Sequence, residues 1–298
     1  MSKRIIAFLK GGLGNQCFIY AAARALADMT SAELYLSLDY FPGDKIYRRT
    51  YALETFRIRA KVLPLRAFPV RQFEELRYKF LRRFNIDRIG NFCLDHPPFS
   101  YVPLPLEWRG TLVLDGYWHS YGYYKSAMPA IYNDFALSGD AGWFENDIER
   151  KKIAANPKAF FCHVRSYKEV PGHAGGDMSA KLEYYGKALR LMRNKLGDGA
   201  TCYLFSDDLV WAQTRLAPLA SSLGQTIVPV SPSKDVDGQF RDFMLMREFR
   251  NGIVGNSSFS GFAGVLAASG ARLRGENGVF ACPAETIEGY FPDDWSVL

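Results

Sequence analysis

The stretch RIIAFLKGGLGNQCFIYAAARALADM, residues 4–29, decides the architecture. RIIAFL is short, apolar and rich in β-branched residues, which reads as a strand, while the apolar residues from Phe18 to Met29 recur at helical spacing. Between them LKGGLGNQCF carries Gly11, Gly12 and Gly14, the amides Asn15 and Gln16, and no charge beyond Lys10. Glycine permits positive φ and close backbone approach, and the following helix offers unpaired N–H groups at its start. Strand, glycine-rich turn and helix in this order read as a binding loop; a tight turn packed on the sheet is the plainer alternative. ELYLSLD (33–39) adds a second strand, and strand–helix–strand implies a parallel pair.

Working outward, the middle of the chain is irregular, with Pro97, Pro98, Pro103 and Pro105, until TLVLDGYW (111–118) supplies another strand. Helical patterns then run to about Lys152. The second half alternates cleanly: strand AFFCHVR (159–165), helix 179–195, strand TCYLFS (201–206), helix 208–220, strand TIVPV (226–230), helix 238–249, strand GIVGN (252–256), and a helix opening at SSFSGFAGVLA (257–267). This is the pattern of a doubly wound α/β domain. The domain boundary falls between Ala141 and Asn156, dividing the chain into 1–145 and 146–298.

A length of 298 residues with 48% hydrophobic and 15% aromatic content describes a globular protein with a large core. The apolar stretch before Lys10 is too brief for a signal peptide and no run reaches membrane-spanning length, so the expected location is the cytoplasm. Cys17, Cys93, Cys162, Cys202 and Cys282 are scattered and read as buried thiols. There is no CxxC pair, and His96, His119, His163 and His173 do not fall at metal-ligand spacing, so no metal is expected.

The net charge of +6 favours an anionic partner. Much of it lies in 66–88, where Arg66, Arg71, Arg77, Lys79, Arg82, Arg83 and Arg88 alternate with Phe73, Leu76, Phe80, Leu81 and Phe84. That spacing predicts a basic amphipathic helix, either an ordinary surface helix or a peripheral contact with an anionic membrane at its inner face. Nothing in it repeats a nucleic-acid-reading motif, so no nucleic acid is expected.

In open α/β sheets ligands bind beyond the carboxyl ends of strands. Those positions are Gly11 to Gln16, His163 with Arg165, Ser206-Asp207-Asp208, and Asn256-Ser257-Ser258. Arg165 can fork onto phosphate oxygens, a carboxylate can accept from a base or ribose, and a serine-rich helix start offers donors. Each has a bland counterpart: a structural ion pair for Arg165, helix capping for Asp207, Asp208 and the serines.

The ordered series GGLGNQCFIYAAARALA (11–27), DGYWHSYGYYK (115–125), FFCHVR (160–165), LEYYGKAL (182–189), YLFSDD (203–208) and DFMLMREFRNGIVGNSSFS (242–260) resembles the alpha-1,2-fucosyltransferase family, glycosyltransferase family 11, over nearly the whole chain. The resemblance implies a GT-B-like α/β enzyme of two Rossmann-like domains facing across a cleft, with an N-terminal acceptor-side domain and a C-terminal domain holding the donor. It implies inverting, metal-independent transfer of L-fucose from GDP-fucose to a galactose hydroxyl of a glycan, with no cofactor. His163 and Arg165 match the start of the family's H-x-R-R-x-D pattern, in which the Arg holds the diphosphate. Asp207 would face the guanine or ribose, Ser257, Ser258 and Ser260 would lie near the phosphates, and Gly12, Gly14, Asn15 and Gln16 would line the cleft. The chain departs from the pattern at Ser166 and Lys168, where the family has a second Arg and an Asp, and at Gly261-Phe262. The clamp loses one fork, and Lys168 is the candidate substitute as a point cation.

For the base, Glu169, His173 and Asp177 follow Arg165 on a glycine-rich stretch, with Glu169 placed beside Arg165 and His163 as a catalytic candidate. Three other readings stand beside this one. Transfer of a related GDP-deoxyhexose changes only the donor. A Rossmann-type oxidoreductase would use Gly12-Leu13-Gly14, but Cys17 takes the third glycine position of its fingerprint. A nucleotide-binding protein without turnover would follow from the changes at Ser166 and Lys168.

Overall fold

A computed structural model describes residues 2–65, 88–95, 101–139, 141–166, 178–231, 238–285 and 289–298. The chain divides into two compact units, residues 1–139 with 287–291, and residues 140–286 with 292–298.

The first unit is built on β1 (Arg4–Phe8), α1 (Leu13–Thr30) and β2 (Glu33–Ser37). Two-residue β3 (Lys61–Val62), the hairpin β4 (Arg88–Ile89) and β5 (Phe92–Leu94), and β6 (Thr111–Asp115) complete a sheet of order β3-β2-β1-β6-β5-β4. All its neighbours are parallel except β4 and β5. β1 pairs on one side with β2, Arg4 opposite Glu33, and on the other with β6, Arg4 opposite Thr111. The order therefore reverses between β1 and β6, and their carboxyl ends emerge side by side. Helix α1 is buried almost all round, because Ala21, Ala22, Ala23, Ala25 and Ala27 carry little bulk and let it lie close to the sheet. Its Arg24 donates from Nε to Asp134 Oδ2 at 2.9 Å, and the Tyr20 hydroxyl reaches the same oxygen at 2.7 Å. That buried pair fastens α1 to α2 (Met128–Asp134).

The second unit opens with the short α3 (Gly142–Glu145) and α4 (Ile148–Ala155), capped by Asp147. It then runs β7 (Ala159–Val164), α5 (Met178–Leu196), β8 (Thr201–Ser206), α6 (Leu209–Ser222), β9 (Thr226–Pro229), α7 (Gly238–Met246), β10 (Asn251–Ile253), α8 (Ser258–Leu273), β11 (Phe280–Cys282) and β12 (Ser296–Val297). Every pair in the sheet is parallel, in the order β12-β11-β10-β7-β8-β9. Numbered within the unit this is the dinucleotide-fold order 3-2-1-4-5-6, with its switch between β7 and β10. All six residues of β7 are buried, as a strand covered on both faces requires.

The doubly wound α/β class is as the sequence predicts, and the differences are local. Helix α1 starts at Leu13 rather than near Phe18, so the loop shrinks to 9–12 and Gly14, Asn15 and Gln16 are helical. β6 stops at Asp115 because the chain turns at Gly116. Strands β3, β4, β5, β11 and β12 were not anticipated: they span two or three residues, too few to show a period. The expected basic helix over 66–88 lies outside the described residues apart from Arg88, which is in β4. All five cysteines are buried free thiols.

Candidate functional site

In the second unit, Arg165 follows β7 directly and its guanidinium Nη1 meets Asp207 Oδ2 at 2.9 Å, with both side chains largely shielded. The other carboxylate oxygen of Asp207 accepts the Ser166 amide at 2.7 Å. Two strand ends are thereby joined, since Asp207 follows β8. Asp207, expected to face a guanine or ribose, meets the loop that carries Arg165 through both of its oxygens. Asp208 takes the bland role, capping α6 by accepting Trp211 N at 3.2 Å.

Beyond β10, the α8 start sits at the same switch point. Ser257 is its N-cap, accepting Phe259 N at 3.3 Å, and Ser258 is its first residue; both are half-buried. Ser260, expected near phosphates, is fully buried as the third residue of the helix, with its hydroxyl directed to Ser257 O at 3.4 Å. Gly255 is required by crowding, because a Cβ there would lie 2.8 Å from His163 O and 2.9 Å from the Tyr185 hydroxyl.

His163 occupies the penultimate position of β7, 6% exposed, with its ring 5.6 Å from Phe259. Burial, helped by Arg165 and opposed by Asp207, pulls its pKa down to about 4, so the ring is neutral near pH 7. Its Nδ1 is buried and has no hydrogen-bond partner among the described residues. His163, expected to be catalytic, is thus a buried neutral imidazole at a strand end. Glu169, His173, Asp177 and Lys168 lie outside the described residues.

Residues the sequence left unassigned shape this strand end. On α5, Tyr184 donates to Val254 O at 2.6 Å and Tyr185 to His163 O at 2.9 Å, tying the helix to the carboxyl ends of β10 and β7. Lys181, one turn earlier, reaches Arg165 O at 3.3 Å. The signal available was LEYYGKAL itself, with two adjacent tyrosines on a helix.

The first unit gathers a second cluster at its own switch point. Lys10 after β1 pairs with Asp115 at the end of β6, Nζ to Oδ1 2.7 Å. Lys10 also lies 5.1 Å from the Tyr117 ring centroid, and Tyr117 stacks on His119. His119 Nε2 is 3.1 Å from Asn15 Oδ1, and burial with Lys10 nearby lowers the His119 pKa to about 4. Gly12 is the helix N-cap without a side-chain cap, with the Arg49 guanidinium about where a Cβ would touch it. Gly14 is buried inside the first turn of α1. Gln16, expected to line the cleft, is fully buried and bonds Gly11 O at 2.9 Å, Thr50 O at 2.8 Å and Ala52 N at 2.9 Å, so it shapes the loop. Lys10, Asp115, Tyr117 and His119 were missed because they meet only through the β1–β6 pairing.

Among the described residues no group of three His, Cys, Asp or Glu side chains gathers to hold a metal, and no helix is long and apolar enough to cross a membrane. A cavity of about 230 Å³ between Ile153, Ala159, Phe249, Arg250 and Arg274 opens at the amino ends of β7 and β10, at the opposite end of the sheet from Arg165.

No family model matches the chain. It is similar to the O-antigen biosynthesis glycosyltransferase WbnK of Escherichia coli, 25% identical over 274 residues that cover 85% of this chain and 86% of that protein. Among solved structures it is similar to a point mutant of Arabidopsis thaliana FUT1 in complex with GDP, with a TM-score of 0.50, 14% identity, and coverage of 98% of this chain and 72% of that one. The fucosyltransferase NodZ from Bradyrhizobium gives a TM-score of 0.48 at 14% identity, covering 89% of this chain and 94% of that one. The chain thus has the GT-B-like α/β fold of that FUT1 structure, with a parallel Rossmann-like sheet in each unit.

Proposed function

We propose that the chain is an inverting glycosyltransferase that moves L-fucose from GDP-fucose to a galactose hydroxyl of a glycan, in alpha-1,2 linkage and without a metal. The observation that carries the reading is Arg165, held by Asp207 just past β7, one of the two strands that flank the switch point of a 3-2-1-4-5-6 sheet, where this fold binds nucleotides; the α8 start follows the other, β10. The likeness to WbnK, a glycosyltransferase of O-antigen synthesis, supports the reaction class. GDP in the FUT1 structure agrees with the nucleotide.

In this reading a base takes the acceptor hydroxyl proton as that oxygen attacks C1 from the face opposite the leaving group. The C1–O bond to the β-phosphate breaks, and GDP departs with the bonding pair. The negative charge gathering on the diphosphate meets the Arg165 guanidinium and the N–H groups of the α8 start, donors already in place before the reaction. Glu169, His173 and Asp177 are the candidates for the base. The first unit takes the acceptor, a bacterial surface glycan assembled at the cytoplasmic membrane face, where the basic segment 66–88 would touch anionic lipid.

Calorimetry against GDP, UDP and NAD tests the reading first, followed by NMR of the product formed from GDP-fucose and a β-galactoside with and without chelator. GDP binding and an alpha-linked fucoside that survives chelation are expected. NAD binding without GDP binding would replace the reading with the oxidoreductase, GDP binding with neither transfer nor donor hydrolysis would leave a binding protein, and loss of turnover with chelator would refute the metal-free mechanism.

A further inference from the structure

We infer that Asp115, in the first unit, is the base that takes the acceptor hydroxyl proton; this rests on the proposed transfer reaction, for which Glu169, His173 and Asp177 are the other candidate bases. Asp115 is the last residue of β6, and Lys10 lies just past the end of β1. The strand order of the first sheet reverses between these two strands, and open α/β sheets bind ligands beyond the carboxyl ends at such a point.

The two carboxylate oxygens of Asp115 have different fates. Oδ1 is held by Lys10 Nζ at 2.7 Å, with both side chains largely shielded. Oδ2 has no hydrogen-bond partner among the described residues and is not sealed from solvent. A base needs this division: the anchored oxygen aims the carboxylate, and the open one can come within hydrogen-bond reach of a hydroxyl. Neighbouring strand-end carboxylates are engaged elsewhere. Asp39 Oδ2 accepts the Ser37 hydroxyl, Asp95 Oδ2 accepts Tyr117 N and Trp118 N, and Asp207 gives both oxygens to the loop that carries Arg165.

The surroundings suit a sugar. The Tyr117 ring centroid lies 5.1 Å from the Lys10 ammonium. Burial raises the Tyr40 hydroxyl pKa, with smaller effects from Asp44, Tyr117 and Lys10, so Tyr40 belongs to the same cluster. Carboxylate and ammonium offer partners for hydroxyls, and the two tyrosines add apolar rings with polar tips. In the reaction the acceptor O–H bond breaks as its oxygen forms the bond to C1. The proton moves to Asp115 Oδ2, the C1–O bond to the β-phosphate breaks, and GDP leaves with the bonding pair. Water then takes the proton from the Asp115 carboxyl. Lys10 is the positioning residue.

The test is transfer from GDP-fucose to a β-galactoside by Asp115→Asn, Asp115→Ala and Lys10→Met, at equal numbers of GDP-binding sites counted by calorimetry. Asp115→Asn keeps an oxygen for Lys10 but has no basic one, and is expected to lower kcat at least about a hundredfold with acceptor KM within about threefold. Formate, a small carboxylate, should restore part of the rate to Asp115→Ala. Lys10→Met leaves the carboxylate present but unaimed and should cost about tenfold. Transfer by Asp115→Asn within about threefold of wild type would overturn the inference. So would an equal loss in Lys10→Met and Asp115→Asn without formate rescue, which would make the pair a fastener between β1 and β6, or failure of both aspartate variants to give GDP-binding protein. If the wild type binds no GDP and transfers nothing, the functional reading falls and this inference with it; with an active wild type, those outcomes remove Asp115 alone.

Discussion

Arg165 and Asp207 behave as one group, and their substitutions should separate two effects. On the proposed function, replacing Arg165 by Ala removes the charge that faces the departing diphosphate, and loss of one such donor typically costs about 3 kcal/mol, or roughly a hundredfold in rate. Product formed from GDP-fucose by Arg165→Ala measures this, and near-normal turnover would contradict it. Asp207→Asn keeps an oxygen for the Ser166 amide but loses the charged partner 2.9 Å from the guanidinium. Its expected result is a kcat lower by about tenfold with KM for the donor little changed, because a misdirected guanidinium still attracts the ground state but no longer meets the charge that develops later. Arg165 was legible in the sequence as the cation just past a buried strand. Its partner was not: forty-two residues separate the two, and only the β7–β8 register, with Val164 opposite Ser206, brings them together.

At the scale of elements, the turn after β6 carries the strain. Trp118 holds a left-handed φ of 52° despite its bulk and is 1% exposed. It stays there because Asp95, at the end of neighbouring β5, accepts from both Tyr117 N at 3.0 Å and Trp118 N at 2.6 Å. Gly116 admits the close approach, since a Cβ there would lie 2.2 Å from the Asp95 Cβ. Asp95→Ala strands one buried and one half-buried amide and is expected to cost about 2–4 kcal/mol of unfolding free energy, read from the urea midpoint at unchanged slope. A loss under about 0.5 kcal/mol would mean that the turn holds itself. The DGYW stretch was visible in the sequence as the end of a strand. That it bends at Gly116, and that a residue twenty-odd positions earlier pins it, depends on β5, which is too short to declare itself.

For the whole molecule, one buried and one half-buried histidine make stability depend on acid. His119 and His163 both fall from 6.5 to about 4 in the folded protein, chiefly through burial. Between those values the unfolded chain binds more protons than the folded one, so stability is complete above about pH 6.5 and is lost as pH falls toward 4, by about 2–3 kcal/mol for each histidine. Urea midpoints at pH 7.5 and pH 5 should differ in that direction, and His119→Gln or His163→Gln should flatten the slope; an unchanged slope in both variants would remove the histidines from the account. Residue chemistry and periodicity alone determined the alternation of strands and helices, the glycine turn into α1, and the polar residues past the strand ends, because these depend on neighbours within a few positions. Tertiary structure decided which strand ends meet. The parallel pairs β1–β6 and β7–β10 join segments distant in the chain, and the contacts they create, such as Lys10 with Asp115 across 105 positions, depend on hydrogen-bond register between strands and leave no local trace in the sequence.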